Sequence, residues 1–131
     1  MRSAAPQGGF LKGNVDLNIA QALNLCGQPD SYERQESTWL LEHIVGVDGV
    51  VLKFRLEQDL TDIQEQAYLA GLARIEQGEP LAYVIGSQPF WTLDLKVTPD
   101  TLVPRPDTEI LVETVLKLPL AANANIVDLG T

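Results

Sequence analysis

The sequence predicts a mainly α fold: an N-terminal four- to five-helix bundle, a β-hairpin linker, and then the opening of an α/β domain. Three observations carry this. Apolar residues recur at helical spacing, between recognisable starts and stops, over residues 16–82. From Tyr83 the period shifts toward alternation. Two prolines, Pro104 and Pro106, then mark a stiff junction, because neither offers an N–H and both fix φ.

Met1 to Asn14 is rich in Gly, Pro and Ser and has no apolar stretch of signal-peptide type, so residues 1–15 read as a disordered leader or a cloning remnant. A first helix is predicted from Asp16 to Cys26, with Leu17, Ala20 and Leu23 on one face and Gly27 as its stop. Asp30 with Glu33 resembles a capping box for a second helix to about Val45, ended by Gly46. Trp39, Leu40, Ile44 and Val45 supply its apolar bulk. Val50 to Leu56 fits strand or helix by pattern, and the helices around it favour a short helix. Thr61 and Gln64 form another capping box, opening a long helix to about Gln77. Ile63, Ala67 and Ala70 make one row, widened by Leu69, Leu72 and Ile75, before Gly78 and Pro80.

Leu93, Leu95 and Val97 alternate with Asp94 and Lys96, and Thr101-Leu102-Val103 follows a Thr98-Pro99-Asp100 turn, predicting a two-strand ribbon. Phe90 and Trp91 are adjacent, so in a strand they would face two different bodies, as a hydrophobic clasp. Pro106 suits the first turn of a further helix to about Leu118, where Asp107 is the expected N-cap and Asp107 and Glu109 complement the helix dipole. Ile126 to Thr131 is an apolar run closing in Asp-Leu-Gly, the way a buried parallel strand meets a ligand loop. A parallel strand without partners is not a finished fold.

Net charge is −9, from 18 acidic and 9 basic residues, and the acidity is spread along the chain. That argues against direct nucleic-acid binding. One cysteine, Cys26, excludes an intrachain disulfide and a cysteine zinc cluster, and fits a reducing compartment; on an apolar helix face it reads as a structural thiol. His43 has no metal-ligating neighbour at helical spacing. No apolar run is long enough for a membrane span, and the expected location is cytoplasmic.

Four blocks then carry a resemblance: Gly78-Glu79-Pro80-Leu81-Ala82-Tyr83-Val84-Ile85-Gly86, Phe90-Trp91, Leu102 to Glu109, and Val127-Asp128-Leu129-Gly130-Thr131. In this order and approximate spacing they resemble the protein-glutamine methyltransferases of the HemK/PrmC type, over roughly residues 17–131. The resemblance implies a helical domain over 16–82 that binds a peptide-chain release factor, a hairpin linker over 83–104, and over 105–131 the first helix and strand of a truncated Rossmann-like domain. The family's activity is transfer of a methyl group from S-adenosylmethionine to the side-chain nitrogen of the glutamine in a Gly-Gly-Gln loop, a step tied to translation termination. Carried over position by position, Asp128, Gly130 and Thr131 match the start of the cofactor loop, and Arg105, Thr108 and Glu109 match the block beside it. Arg105 and Glu109 would touch cofactor or order the loop, or else form a structural cap and an ion pair. The family's Asn-Pro-Pro-Tyr motif and further glycines are not in this sequence, so no catalytic residue is assigned and the 131 residues are expected to be inactive. The competing reading is a stand-alone helical interaction module. Residues 17–82 should form a compact bundle alone, whereas 105–131 should be loosely ordered or self-associate through an uncovered apolar face.

Overall fold

The computed structural model describes residues 16–130, so the leader expected over 1–15 and the candidate Thr131 lie outside the described residues. The chain divides into two units, between Gly86 and Ser87.

Among the described residues the first unit holds five helices: α1 (Ile19–Leu23), α2 (Tyr32–Val45), α3 (Gly49–Lys53), α4 (Asp62–Glu76) and α5 (Leu81–Ile85). Helix α1 is shorter than Asp16–Cys26. Asp16 has a positive φ, the Leu17 carbonyl accepts from Leu60 N–H (2.9 Å), and Asn18 bridges Asp59, so residues 16–18 are held outside the helix. Asn18 and Gln21 form a reciprocal capping box (2.8 and 2.9 Å). The Ile19 and Ala20 N–H groups, orphans of a first helical turn, donate to the Gln58 and Leu56 carbonyls. Cys26 lies past the helix end, half-buried, rather than on its apolar face.

The cap of α2 is Ser31 rather than Asp30. An N-cap needs extended backbone; Ser31 has it, whereas Asp30 is left-handed at φ 71°. Ser31 Oγ accepts from Arg34 N–H (3.1 Å), and left-handed Gly46 ends the helix. Asp48 caps α3 by accepting from Val50 and Val51 N–H, both at 3.0 Å, which favours helix over strand in the segment after it. Thr61 and Gln64 cap α4 as predicted (3.0 and 3.2 Å).

The inward face of α4 corrects the sequence reading. Ile63 is 80% exposed, and Ala67 and Ala70 also face solvent; the buried residues are Glu65, Tyr68 and Gly71, with Leu69, Leu72 and Ile75 packed at the edge of the core. Both rows have helical spacing, so periodicity alone does not choose between them. Packing does: a Cβ on Gly71 would stand 2.8 Å from Leu40 Cδ2 and 3.3 Å from Val84 Cγ1, so this glycine lets α4 approach α2 and α5 closely. The core is Leu17, Ile19, Ala22, Leu23, Leu40, Leu41, Leu52, Leu60 and Tyr68. Trp39 is about half exposed, on the rim of α2 rather than inside it.

In the second unit β1 (Ser87–Phe90) pairs antiparallel with β2 (Leu93–Lys96), in the register Ser87↔Lys96 to Phe90↔Leu93. The predicted ribbon joined 93–97 to 101–103 instead. That later run leads into Pro104 and Pro106, which supply no ladder N–H, and Thr98–Thr101 closes on itself through the Thr101 N–H and hydroxyl to the Thr98 carbonyl, both 2.9 Å. The turn is Trp91-Thr92, with Trp91 in the left-handed region at φ 55°, so Phe90 and Trp91 are not two neighbours within one strand. Helix α6 (Pro106–Leu116) has Pro106 at its start, but its N-cap is Arg105, not Asp107, which lies in the first turn. Residues 124–130 form no strand. Ile126, Val127 and Leu129 are 68, 75 and 87% exposed, so the expected buried strand is not formed; no strand among the described residues pairs with this segment.

Candidate functional site

Three of the candidate cofactor residues share the first turn of α6 and its cap. Arg105 is the N-cap by backbone alone; its exposed side chain makes no capping hydrogen bond. Thr108 is exposed, and its N–H donates to the Arg105 carbonyl (3.0 Å). Glu109 is half-buried, and its Oε1 accepts from Trp91 N–H at 2.8 Å. Arg105 and Glu109 form no ion pair with each other. Glu109 is committed to the hairpin turn, where a carboxylate holds the donor of a strained, left-handed tryptophan.

Asp128 and Gly130 lie on the extended segment after α6, both exposed. Gly130 has φ 84°, a conformation suited to a loop that brings backbone against a ligand, but nothing lies within 4 Å of where its Cβ would be. No hydrogen bond joins either residue to Arg105, Thr108 or Glu109 among the described residues. A cofactor site encloses most of its ligand. The described residues around Gly130 are all exposed and enclose no such volume, so they do not by themselves fit a nucleoside cofactor.

The helical unit carries a feature that the sequence reading missed: a groove of about 580 Å³ among the chain before α2, α2 itself and α3. Leu23 and Leu52 reach it from the core, Val50 and Leu56 form apolar lips, and Asp30, Arg34, Glu42, Asp48 and Lys53 supply charge. The one available signal was Val50, Phe54 and Leu56 clustered on so short a helix and its exit. Phe54, just beyond α3, is 86% exposed.

Glu42 packs against the glycine at the head of α3. A Cβ on Gly49 would stand 2.8 Å from Glu42 Oε2, and the Gly49 N–H is a hydrogen-bond donor to that carboxylate. Burial first, and Asp48 second, raise the Glu42 carboxyl above its ordinary pKa; the Gly49 N–H opposes them. A carboxyl with a higher pKa folded than unfolded supports folding while protonated. That contribution is complete below the unfolded value and is lost as pH rises through the folded one. Glu42→Gln keeps an acceptor for Gly49 and removes the charge. It is expected to raise the thermal midpoint near neutral pH and to do so much less at about pH 4, where the parent carboxyl is itself largely protonated. Equal shifts at both pH values would refute the electrostatic cause. Glu36 is raised by burial in the same way, with Glu33 adding to it and the Tyr32 hydroxyl opposing.

Other polar groups are structural. Tyr68 is fully buried; its hydroxyl donates to the Ala22 carbonyl (2.9 Å), and burial pushes its pKa well up, so it stays a neutral donor. Arg74 and Glu79 form an exposed bidentate pair across the end of α4. His43 is exposed. No helix among the described residues is long and apolar enough to cross a membrane.

Comparison with known proteins gives a consistent result. The family model described as the PrmC N-terminal domain matches residues 19–86, just over half of the chain. The release factor glutamine methyltransferase of Salmonella typhimurium is 42% identical over 113 residues, covering 86% of this chain and 40% of the relative. That of Coxiella burnetii is 41% identical over 115 residues, covering 87% and 40%. That of Pseudomonas aeruginosa is 58% identical over 60 residues, covering 46% and 22%. At its widest in these three, the match spans 40% of the relative's own length. The matched segment ends at Gly86, where the helical unit also ends, and the chain belongs to the PrmC N-terminal domain family of the release factor glutamine methyltransferases.

Proposed function

We propose that this chain is the release-factor-binding portion of an S-adenosylmethionine-dependent enzyme that methylates the side-chain nitrogen of the glutamine in the Gly-Gly-Gln loop of a peptide-chain release factor. The observation that carries the reading is the coincidence at Gly86: the family match and the self-contained helical unit end at the same residue. A unit with its own core can act as a separable recognition head. The relatives' shared name supplies the substrate class.

The 131 residues alone are inactive in this reading. An amide nitrogen is a poor nucleophile, because its lone pair is delocalised into the carbonyl. The reaction therefore depends on positioning, which contributes up to roughly 7–11 kcal/mol in well-oriented cases. The sequence holds no Asn-Pro-Pro-Tyr run to orient the amide, and the exposed segment at Asp128 and Gly130 encloses nothing. Arg105, Thr108 and Asp128, with Thr131 outside the described residues, would contribute to the cofactor's edge in the whole enzyme, and Glu109 would order the hairpin beside it. Calorimetry with a bacterial release factor, paired with a methyl-transfer assay on the same sample, tests both parts. Binding without methyl transfer is expected. Absence of binding would refute the recognition role, and methyl transfer by this chain would refute its inactivity.

A further inference from the structure

We infer that the groove between α2 and α3 is where the helical unit holds its protein partner, and that it takes a segment with one apolar anchor flanked by Lys or Arg; this rests on the recognition role proposed above. The floor and lips are apolar: Leu23 and Leu52 from the core, then Val50, 66% exposed, and Leu56, 38% exposed. Phe54, 86% exposed, follows Lys53 of the lining in sequence, at the end of α3. Free-standing apolar groups gathered beside a concavity mark an interaction surface rather than ordinary scatter. A volume of about 580 Å³ accommodates a few side chains.

Charge selects the occupant. Asp30, Glu42 and Asp48 line the groove against Arg34 and Lys53. Arg34 is half-buried and lies close enough to act on the Tyr68 hydroxyl, which leaves Lys53 as the exposed cation of the lining. From Asp16 to Gly86 the chain carries twelve acidic and four basic side chains, so the field around the groove is negative. Phosphate backbones and anionic lipid surfaces are repelled by that field, and a basic protein segment is attracted. Complementary charge of this kind sets orientation and encounter rate, while the apolar anchor supplies the held contact. Asp48 lies close enough to Glu42 to disfavour the charge on the Glu42 carboxylate, so a cation placed beside them relieves a repulsion already present in the free protein.

The test uses the whole 131-residue chain, isotopically labelled, titrated with a bacterial peptide-chain release factor. Resonances over residues 29–35 and 48–56 should shift first, and affinity should fall with added salt. Val50→Lys should weaken binding about tenfold, as loss of an apolar contact compounded by repulsion of a basic partner. Asp30→Asn, which tolerates the left-handed backbone at that position, should weaken it by a smaller factor. Ile63→Ser, exposed and outside the groove, should leave it within about twofold of the parent, as a surface control. Circular dichroism confirms that each variant is folded. Binding that survives Val50→Lys and Asp30→Asn unchanged, with shifts elsewhere, overturns the groove and leaves the recognition role intact. No binding by the unaltered chain overturns both.

Discussion

A chain carrying Tyr68→Ala is expected to lose most of the stability of its helical unit, by about 3–5 kcal/mol. Among the described residues Tyr68 is the largest fully buried side chain, and it joins α4 to α1 both by packing and by its hydroxyl bond to the Ala22 carbonyl. Truncation removes the ring, leaves a cavity in the middle of the core and removes the hydroxyl bond to the Ala22 carbonyl, which keeps the Leu25 N–H as a donor. Units of this size typically hold about 0.05–0.15 kcal/mol per residue, so the loss is comparable to the whole. Urea titration followed by far-ultraviolet circular dichroism reads it directly. Tyr68→Phe separates the contributions: it keeps the ring and should cost about 0.5–1.5 kcal/mol for the one lost hydrogen bond. Ile63→Ala, on the same helix but facing solvent, should change stability by less than about 0.5 kcal/mol. A Tyr68→Ala midpoint equal to that of the parent would remove Tyr68 from the centre of the core.

Glu65→Ala should have the next largest effect, about 2–3 kcal/mol. Glu65 is a buried carboxylate on the inward face of α4, and its Oε2 accepts from Leu17 N–H at 2.7 Å. Hydrogen bonds to charged groups are among the stronger ones, and removing this acceptor leaves a buried donor with no partner. The damage should be local before it is global. Leu17 and Asn18 are held beside Leu60 and Asp59, and the Glu65 bond is what ties that strand-like entry to α4. Amide exchange at Leu17, Ile19 and Ala20 should therefore accelerate more than exchange in the middle of α2. Glu65→Gln keeps an acceptor and should recover most of the loss. Uniform acceleration across the unit in Glu65→Ala would instead indicate a purely packing role.

The exposed carboxylate pairings contribute less. Lys117–Glu113, at helical i,i+4 spacing on α6, is exposed on both sides and adds at most a few tenths of a kcal/mol.

Much of the chain was legible because its signals act over a few residues. Thr61 with Gln64 is a cap within one helical turn, Gly46 supplies a left-handed residue at a helix end, and Pro106 opens a helix by having no N–H to satisfy. Such devices read the same in the sequence as in the fold. The cap of α2 was misplaced by one residue because Asp30 and Ser31 are both good N-cap residues, and backbone conformation decided between them. That Arg105, Thr108 and Glu109 fall on one helical turn and its cap was legible in their spacing, whereas a cofactor role for them, Asp128 and Gly130 was an expectation from the resemblance alone. What Glu109 does was not, because its partner is a backbone N–H eighteen residues away, in a turn whose location was itself misjudged.

From the sequence alone followed a helical N-terminal unit with a hairpin and a further helix after it, an acidic composition, and the family. Those depend on residue type and on neighbours within a turn or two. Tertiary structure decided which face of α4 turns inward, which strand pairs with β2, and where the groove opens. Each of these is a choice between patterns of equal local merit, resolved by contacts such as Tyr68 with Ala22 and Leu17 with Glu65, 46 and 48 residues apart. A spacing rule reports that a helix has an apolar row; only the partner that fills the space beside Gly71 determines which row is buried.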